Sequence, residues 1–494
     1  MVVDKWIRGK TGLWCITDMT NKILSVIFLL VLFSRTTFAA SIPLRGVVEG
    51  FYGKEWTAEE RADVLRFCHS NHLNAYIYAP KDDPYHRKKW RKPYPADKLD
   101  ALGNLVAVAQ QNNVRFIFAV SPGLDLSYHG EKGEKDFALL MRKLDAMYKI
   151  GVRDFAVFFD DLKDKNGTHH ESGKAQAGFL NRVQKELRRQ YKDVASLITV
   201  PTEYYRFDML GNSGETNDYT KDFADTLSKE IIVLYTGDGV VCDGISEEDY
   251  QAANTIYGRE LGIWWNYPVN DYSVAPVGKR RAKRNAKLAL GAIEKLPASN
   301  ATAVFFNPMS QYNMSKIALA TGAIYADDPA SYDASQARDR VLKEQFGELA
   351  PAMKVFAVHS SHMENSWAKC GADDAPEFVD AVRTVMMSAR LKRKLTGVAE
   401  LSRQIDEMEK AADLLLNNLE PQYLAECKPQ LKQFKRIAQA DRLALKSLQD
   451  KKIDPRLKAL RREIHKHAPK AILSEKAALK FIDDTIDLLG TQWE

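Results

Sequence analysis

Residues 155–161 read Phe-Ala-Val-Phe-Phe-Asp-Asp, five apolar residues followed by two adjacent carboxylates. An apolar run this short, with no polar alternation, suits a strand covered on both faces, as in a parallel sheet flanked by helices. Seven further runs share the pattern: Gly46–Phe51, Ala75–Ala79, Phe116–Val120, Leu197–Val200, Ile231–Tyr235, Leu261–Trp265 and Ala303–Phe306. Helical patterns fill most of the gaps. Thr57–Ser70 opens with Thr-Ala-Glu-Glu, where Thr57 and Glu60 make a capping box, and Asp136–Tyr148 is a second such segment. Strand–helix units repeated eight times between residues 44 and 325 predict an α/β fold, a (β/α)8 TIM-type barrel rather than an open doubly wound sheet. No Gly-x-Gly-x-x-Gly follows the first run, which also argues against a dinucleotide fold.

After Ala326-Asp327-Asp328-Pro329 the strand-like runs stop. Leu401, Ile405, Met408, Ala412, Leu415 and Leu419 lie on one face of a long helix, and Leu424, Cys427, Leu431, Phe434 and Ala438 repeat the spacing. The chain therefore divides into a barrel over residues 44–326 and an all-α helical bundle domain over 330–494. At the other end, Ile23–Phe33 is an eleven-residue apolar stretch preceded by Lys22 and followed by Thr37-Phe38-Ala39. It falls short of the ~20 residues of a membrane span and fits a signal peptide over residues 1–39, with Met19 as an alternative start. The expectation is an exported protein, periplasmic or secreted, with no stable membrane span after cleavage.

Of the 494 residues, 71 are Lys or Arg and 65 Asp or Glu, a formal charge of +6. The first 39 hold five of the basic and two of the acidic residues. What remains is too evenly balanced for a nucleic-acid partner, which needs clustered basic residues. The pattern fixes no oligomeric state. Cys68, Cys242, Cys370 and Cys427 are far apart with no Cys-x-x-Cys, and the His pairs form no His-Glu-x-x-His. No metal and no cofactor are expected, and the thiols read as free and buried, with room for a single bridge.

The residues just past each run carry the chemistry, because a (β/α)8 barrel works at the C-terminal ends of its strands. They include Gly50-Phe51-Tyr52-Gly53, Pro80-Lys81-Asp82-Asp83, Asp160-Asp161, Pro201-Thr202-Glu203-Tyr204, Thr236-Gly237, Asn266 with Asn270-Asp271-Tyr272, and Asn307-Pro308. Carboxylates, amides and a lysine among Trp264, Trp265, Tyr204 and Tyr272 make a sugar-like pocket. Glycosidases that use two opposed carboxylates straddle the scissile bond. Adjacent residues on one strand do not, so Asp160-Asp161 suits help from a neighbouring group of the substrate. A cation site and a solvated loop are the rival readings of the pair. No Asp-x-Asp-x-Asp-Gly loop supports the first.

Gly46-Val47-Val48-Glu49-Gly50-Phe51-Tyr52-Gly53 with Trp56 resembles the opening strand of glycoside hydrolase family 84. Tyr78-Ala79-Pro80-Lys81-Asp82-Asp83-Pro84-Tyr85-His86 is similar to that family's lysine strand end. Ser121-Pro122-Gly123, Asp160-Asp161, Pro201-Thr202-Glu203-Tyr204, Trp264-Trp265-Asn266-Tyr267-Pro268 and Asn307-Pro308-Met309 follow in family order. The resemblance covers about residues 45–494. It implies an exo-acting, retaining β-N-acetylglucosaminidase of the O-GlcNAcase kind, acting on glycans or glycoproteins with terminal N-acetylglucosamine. The substrate's acetamido oxygen is then the nucleophile and an oxazoline the intermediate. On that resemblance Asp160 polarises the acetamido N–H, Asp161 is general acid and then base, and Tyr204 bonds the attacking oxygen. Gly50, Lys81, Asp271 and Asn307 bind sugar hydroxyls, Asn266 supports the catalytic acids, and Trp264 and Thr236 line the N-acetyl pocket. Adjacent carboxylates in an apolar strand end are expected to push one pKa up.

Bacterial members commonly carry an α/β domain before the barrel. It is expected to be absent here, since few residues separate the cleavage site from the first run. Tyr235-Thr236-Gly237-Asp238 stands where relatives often show Trp-Thr-Gly-Pro, so pocket width or leaving-group preference is expected to differ. An endo-acting hyaluronidase and a non-catalytic glycan-binding protein are the alternatives. The first predicts a ladder of products from hyaluronan and the second binding without turnover.

Overall fold

The computed structural model describes residues 41–162, 170–211, 214–272, 285–299, 301–365 and 367–491. The export signal read over residues 1–39 lies outside them. Eight parallel strands, β1 (Leu44–Glu49), β2 (Ala75–Tyr78), β3 (Arg115–Val120), β4 (Asp154–Phe158), β5 (Ile198–Val200), β6 (Ile232–Tyr235), β7 (Gly262–Trp265) and β8 (Ala303–Phe306), pair in sequence order, and β8 closes on β1. Each apolar run becomes a strand within two residues of its predicted limits. Alternation sets which side chains fill the barrel. Along β4, Ala156 and Phe158 join Val48, Ile77, Ile117, Val200, Leu234 and Phe305 in the interior. Phe155, Val157 and Phe159 belong to the larger core under the helices.

Helix α1 (Ala58–Ser70) follows β1, α2 (Ala96–Gln111) follows β2, α3 (Gly130–Lys149) β3 and α4 (His170–Gln190) β4. Thr57 and Glu60 make the expected capping box at the start of α1. Two short helices, α5 (Arg206–Met209) and α6 (Asp218–Thr226), follow β5, and α7 (Glu247–Tyr257) follows β6. Between β7 and β8 the described residues hold no helix, where the repeat predicts one. Buried Leu288, Ala289 and Leu290 run there without regular structure. Their backbone groups find partners outside the barrel: Leu290 N–H donates to the Ser360 carbonyl, and Ser360 Oγ donates to the Leu288 carbonyl, both at 2.8 Å.

Helix α8 (Tyr312–Asp327) completes the barrel. The chain continues through α9 (Ala334–Phe346), α10 (Ala350–Val358), α11 (Pro376–Arg390), α12 (Val398–Asn418), α13 (Pro421–Asp450), α14 (Pro455–His467) and α15 (Ala478–Thr491). The heptad-like faces read from the sequence are the α12–α13 pair, with Leu401, Ile405, Met408 and Leu415 buried along α12 and Cys427, Leu431 and Phe434 along α13. Two short strands, β9 (Met363–Glu364) and β10 (Lys369–Cys370), interrupt the helices, where no strand was expected. Helix α8 packs against β1, β8 and α13. The carboxylate of Glu426, on α13, accepts from the N–H groups of Asn313 (3.1 Å) and Met314 (2.9 Å) at the start of α8. A charged cap borrowed from another helix thus satisfies donors that α8 cannot pair itself. The described cysteines Cys68, Cys242, Cys370 and Cys427 are all free. Among the described residues no helix is long and apolar enough to cross a membrane.

Strand β1 approaches β2 so closely at Gly46 that a Cβ there would sit 1.9 Å from the Ala75 carbonyl oxygen. Backbone cannot rotate away as a side chain can, so Gly46→Ala is expected to destabilise the fold by about 1–3 kcal/mol. Gly178, on α4, has open space around it. Gly178→Ala should hold or raise stability by about 0.4–1 kcal/mol. Thermal melts of the two variants check this, and a wild-type midpoint for Gly46→Ala would contradict the packing described.

Candidate active site

Each interior row of the barrel continues past the end of its strand. One pleat repeat beyond Val48 stands Gly50, beyond Ala79 Lys81, beyond Phe158 Asp160, beyond Leu234 Thr236, beyond Trp264 Asn266, and beyond Phe305 Asn307. Two repeats beyond Val200 stands Tyr204. These residues, with Asp161 and Asp271, line one cavity of about 520 Å³ at the C-terminal end of the barrel. All ten residues singled out from the sequence therefore meet in one place.

Asp161 reaches the cavity by a different route. An extended backbone would turn it toward the surrounding helices. Its φ of 56° lies in the left-handed region, which a residue with a β-carbon adopts only when its surroundings compel it. Asp160 stays in the inward row and is nearly enclosed.

Lys81 joins the two carboxylates. Its ammonium contacts Asp160 Oδ2 and lies 3.4 Å from Asp161 Oδ2. Burial opposes the charge on Lys81, but Asp160 and Asp161 hold its pKa above the ordinary lysine value. Asp161 Oδ1 accepts from the Tyr204 hydroxyl (3.1 Å), and Oδ2 from the Tyr52 hydroxyl (2.7 Å). Burial pushes the Asp161 carboxyl up, yet Lys81, Tyr52, Arg87 and Tyr204 outweigh it and hold the pKa below the usual aspartate value. The upward push expected of adjacent carboxylates is thus reversed at Asp161. Asp160 Oδ1 is buried and has no partner among the described residues.

The floor is Trp264, set edge-on to Phe158 with ring centroids 5.5 Å apart. A Cβ on Gly50 would lie 2.4 Å from that ring, so only glycine lets Trp264 and β1 meet. Asn266 Oδ1 accepts from Trp264 Nε1 (2.8 Å) and from Asn307 Nδ2 (2.9 Å), and its own Nδ2 donates to the Val240 carbonyl (2.6 Å). Among the described residues Asn266 therefore braces Trp264 and Asn307. Asn307 Oδ1 accepts from Gly50 N–H at 3.3 Å. Asp271 Oδ2 accepts from Tyr52 N–H, and Thr236 Oγ1 donates to the Gly239 carbonyl at 2.8 Å.

Several motif residues hold the loops and stay out of the cavity. Asp83 accepts from the hydroxyls of Tyr78 and Tyr94 and from Tyr85 N–H, each at 2.8 Å, which fixes the turn bearing Lys81. His86 Nδ1 donates to the Ala119 carbonyl at 2.8 Å, and burial pushes its pKa down to about 4, so the ring is neutral. Glu203 is pushed up to about 7 by burial and bonds Thr220 and Asn217 beneath Tyr204. Asp238, one of the departures from the family pattern, pairs with Arg206 at 2.6 Å and ties the loop after β6 to α5.

Other lining residues were not predicted. Tyr52 lies within a quoted motif but received no role. Val240 and Val241 wall the cavity from the loop after β6. Trp367, between β9 and β10, lines the mouth while 55% exposed and touches the ring of Tyr272. Sequence reading assigned that stretch to the helical part, where nothing marks an aromatic bound for the barrel. Among the described residues no cluster of His, Cys, Asp or Glu could hold a metal ion.

Residues 45–358 match the family model described as beta-N-acetylglucosaminidase, and residues 379–482 match one described as hyaluronidase post-catalytic domain-like. The chain is similar to Protein O-GlcNAcase of Mus musculus and of Rattus norvegicus, 35% identical over 231 residues that cover 46% of this chain and 25% of each relative. It thus spans about a quarter of the length of those curated relatives. Among solved structures, CpGH84B is 35% identical with a TM-score of 0.80, over 90% of this chain and 77% of that one. A mutant of the Thermobaculum terrenum O-GlcNAc hydrolase is 25% identical with a TM-score of 0.76, over 92% and 97%.

Proposed function

Because the chain belongs to glycoside hydrolase family 84, the beta-N-acetylglucosaminidase family, we propose that it is an exo-acting, retaining β-N-acetylglucosaminidase. It removes terminal β-linked N-acetylglucosamine from glycoconjugates by substrate-assisted catalysis. The observation that carries this reading is the shared contact of Lys81 with both carboxylates. Adjacent residues at one strand end are poorly disposed to straddle a sugar from opposite faces, which supports help from the substrate over an opposed pair of carboxylates.

In this mechanism the sugar enters with its non-reducing end toward Gly50, Asp271 and Asn307. Asp160 Oδ1, buried without a donor of its own, accepts the acetamido N–H. This raises electron density on the acetamido oxygen, which attacks the anomeric carbon as the glycosidic bond breaks. Asp161 delivers its proton to the departing oxygen, the acetamido N–H proton passes to Asp160, and the product on the enzyme side is an oxazoline. Asp161, now a carboxylate, takes a proton from water as that water opens the oxazoline with net retention, and Asp160 returns its proton to the nitrogen. Tyr204 has two calls on its hydroxyl: Asp161 in the free enzyme and the acetamido oxygen in the complex. Its transfer to substrate removes one bond that lowers the Asp161 pKa, so binding itself favours the protonated acid.

The carboxylate roles separate by leaving group. Asp161→Asn is expected to slow substrates with poor leaving groups by about 100-fold or more, and activated aryl glycosides far less. Asp160→Asn should lower kcat by a similar factor even on the activated aryl substrate, because its help appears in the transition state. Steady-state kinetics on both substrates test this. Equal losses in Asp161→Asn, or an unchanged kcat in Asp160→Asn, would contradict the assignments.

The apolar stretch Ile23–Phe33 supports export as part of this proposal. Cell fractionation followed by N-terminal sequencing should find the chain outside the cytoplasm, beginning near Ser41. A full-length cytoplasmic product would refute it.

A further inference from the structure

Arg87 stands one residue past the lysine motif, and its guanidinium is buried although it lines no part of the cavity floor. Nη2 donates to the main-chain carbonyl of Asp161 at 3.1 Å. Nη1 donates to the Tyr52 hydroxyl at 2.7 Å. That hydroxyl in turn donates to Asp161 Oδ2 at 2.7 Å. The three residues close a ring that leaves Asp161 through its carbonyl and returns through its carboxylate. Tyr52 is itself pinned, since its N–H donates to the Asp271 carboxylate across the cavity.

Asp161 needs such a hold. Its left-handed backbone costs free energy and persists only where the surroundings over-determine it. A cation on the carbonyl and a donor on the carboxylate oppose relaxation at both ends of the residue. The donor is also a durable one. Burial raises the Tyr52 phenol to about 12, so it keeps its proton throughout the working range.

We propose that Arg87 and Tyr52 are positioning residues for Asp161, which fix the left-handed turn and aim the carboxyl at the leaving-group oxygen. This rests on the reading of Asp161 as acid and base given above. Arg87 bonds the main chain and Tyr52 and adds its charge 4.0 Å from the carboxylate, and Tyr52 bonds the carboxylate directly. Among the described residues that carboxylate also faces the ammonium of Lys81 at 3.4 Å, Arg87 Nη1 itself at 4.0 Å and the Tyr204 hydroxyl at 3.1 Å, and Asp160 precedes it in the chain.

The sign of the effect follows from the bond. A donor to the charged form lowers a carboxyl pKa, so removing the Tyr52 hydroxyl raises the pKa of Asp161. The protonated acid then survives to higher pH, and the alkaline limb of kcat/KM moves up.

Two variants test the proposal, each measured in two ways. Tyr52→Phe keeps the ring and removes only the hydroxyl. Arg87→Lys keeps the charge but lacks the fork that reaches two acceptors. Carbon-13 NMR of protein labelled at the aspartate carboxyls follows Asp161 directly, its signal identified by its loss in Asp161→Asn. The expected result for Tyr52→Phe is a midpoint raised by about one pH unit or more. For Arg87→Lys it is a loss of about tenfold or more in kcat on a poor leaving group, with a much smaller loss on an activated aryl glycoside. An unmoved midpoint in folded Tyr52→Phe, or equal losses on the two substrates in Arg87→Lys, overturns the proposal. A wild-type chain that turns over neither substrate overturns the catalytic reading. The NMR midpoint then still decides whether Tyr52 governs Asp161.

Discussion

A closed barrel of parallel strands leaves each strand a single inward row, and the pleat fixes which residues occupy it. The rows here are apolar and filled as far as Val48, Ala79, Phe158, Val200, Leu234, Trp264 and Phe305. The next inward positions have no facing layer to pack against, and at each the side chain becomes polar or vanishes to glycine. Position in the row thus converts a sequence spacing of two into a ring of Gly50, Lys81, Asp160, Thr236, Asn266 and Asn307 around one cavity. The chemistry depends on that closure. Open the sheet anywhere and Lys81, from β2, and Asn307, from β8, no longer face the same space.

Within the ring, charge is arranged before any substrate arrives. Lys81 neutralises a pair of carboxylates that would otherwise repel in a poorly solvated corner. Asp161 is further stabilised as an anion by two hydroxyls and a guanidinium. In the proposed mechanism a sugar that takes the Tyr204 hydroxyl for its acetamido oxygen removes one of the bonds that hold Asp161 as a carboxylate. Two carboxylates outweigh the burial of Lys81 and keep its charge.

Much of this was legible in the sequence, for physical reasons that also mark where reading stops. Strands buried on both faces leave an unbroken apolar signature, so all eight were placed closely, and the capping box at Thr57 and Glu60 is a local code. The ten residues that meet at the cavity were legible because they follow or end those runs and fall in or near long motifs. Between β7 and β8 the described residues hold no helix where the repeat predicts one, because Leu288 and Leu290 take their partners from Ser360 in a distant part of the chain and no local pattern records that. Trp367 was missed for the same reason: it enters the cavity mouth from the helical part, between two strands too short to show a period. The roles of Asn266 and of the Asp161 backbone depend on angles, and a sequence carries neither. Glu426 caps α8 from another helix, a pairing that no local pattern records.

The most direct test of the account is turnover of an aryl β-N-acetylglucosaminide beside its mono-, di- and trifluoroacetyl analogues by the chain from Ser41. Fluorine withdraws electrons from the acetamido oxygen and leaves the sugar otherwise intact. A nucleophile that belongs to the substrate predicts a rate that falls steeply with each fluorine. A rate indifferent to fluorination would mean that the protein supplies the nucleophile, and the arrangement of Asp160, Asp161 and Tyr204 would need a different explanation.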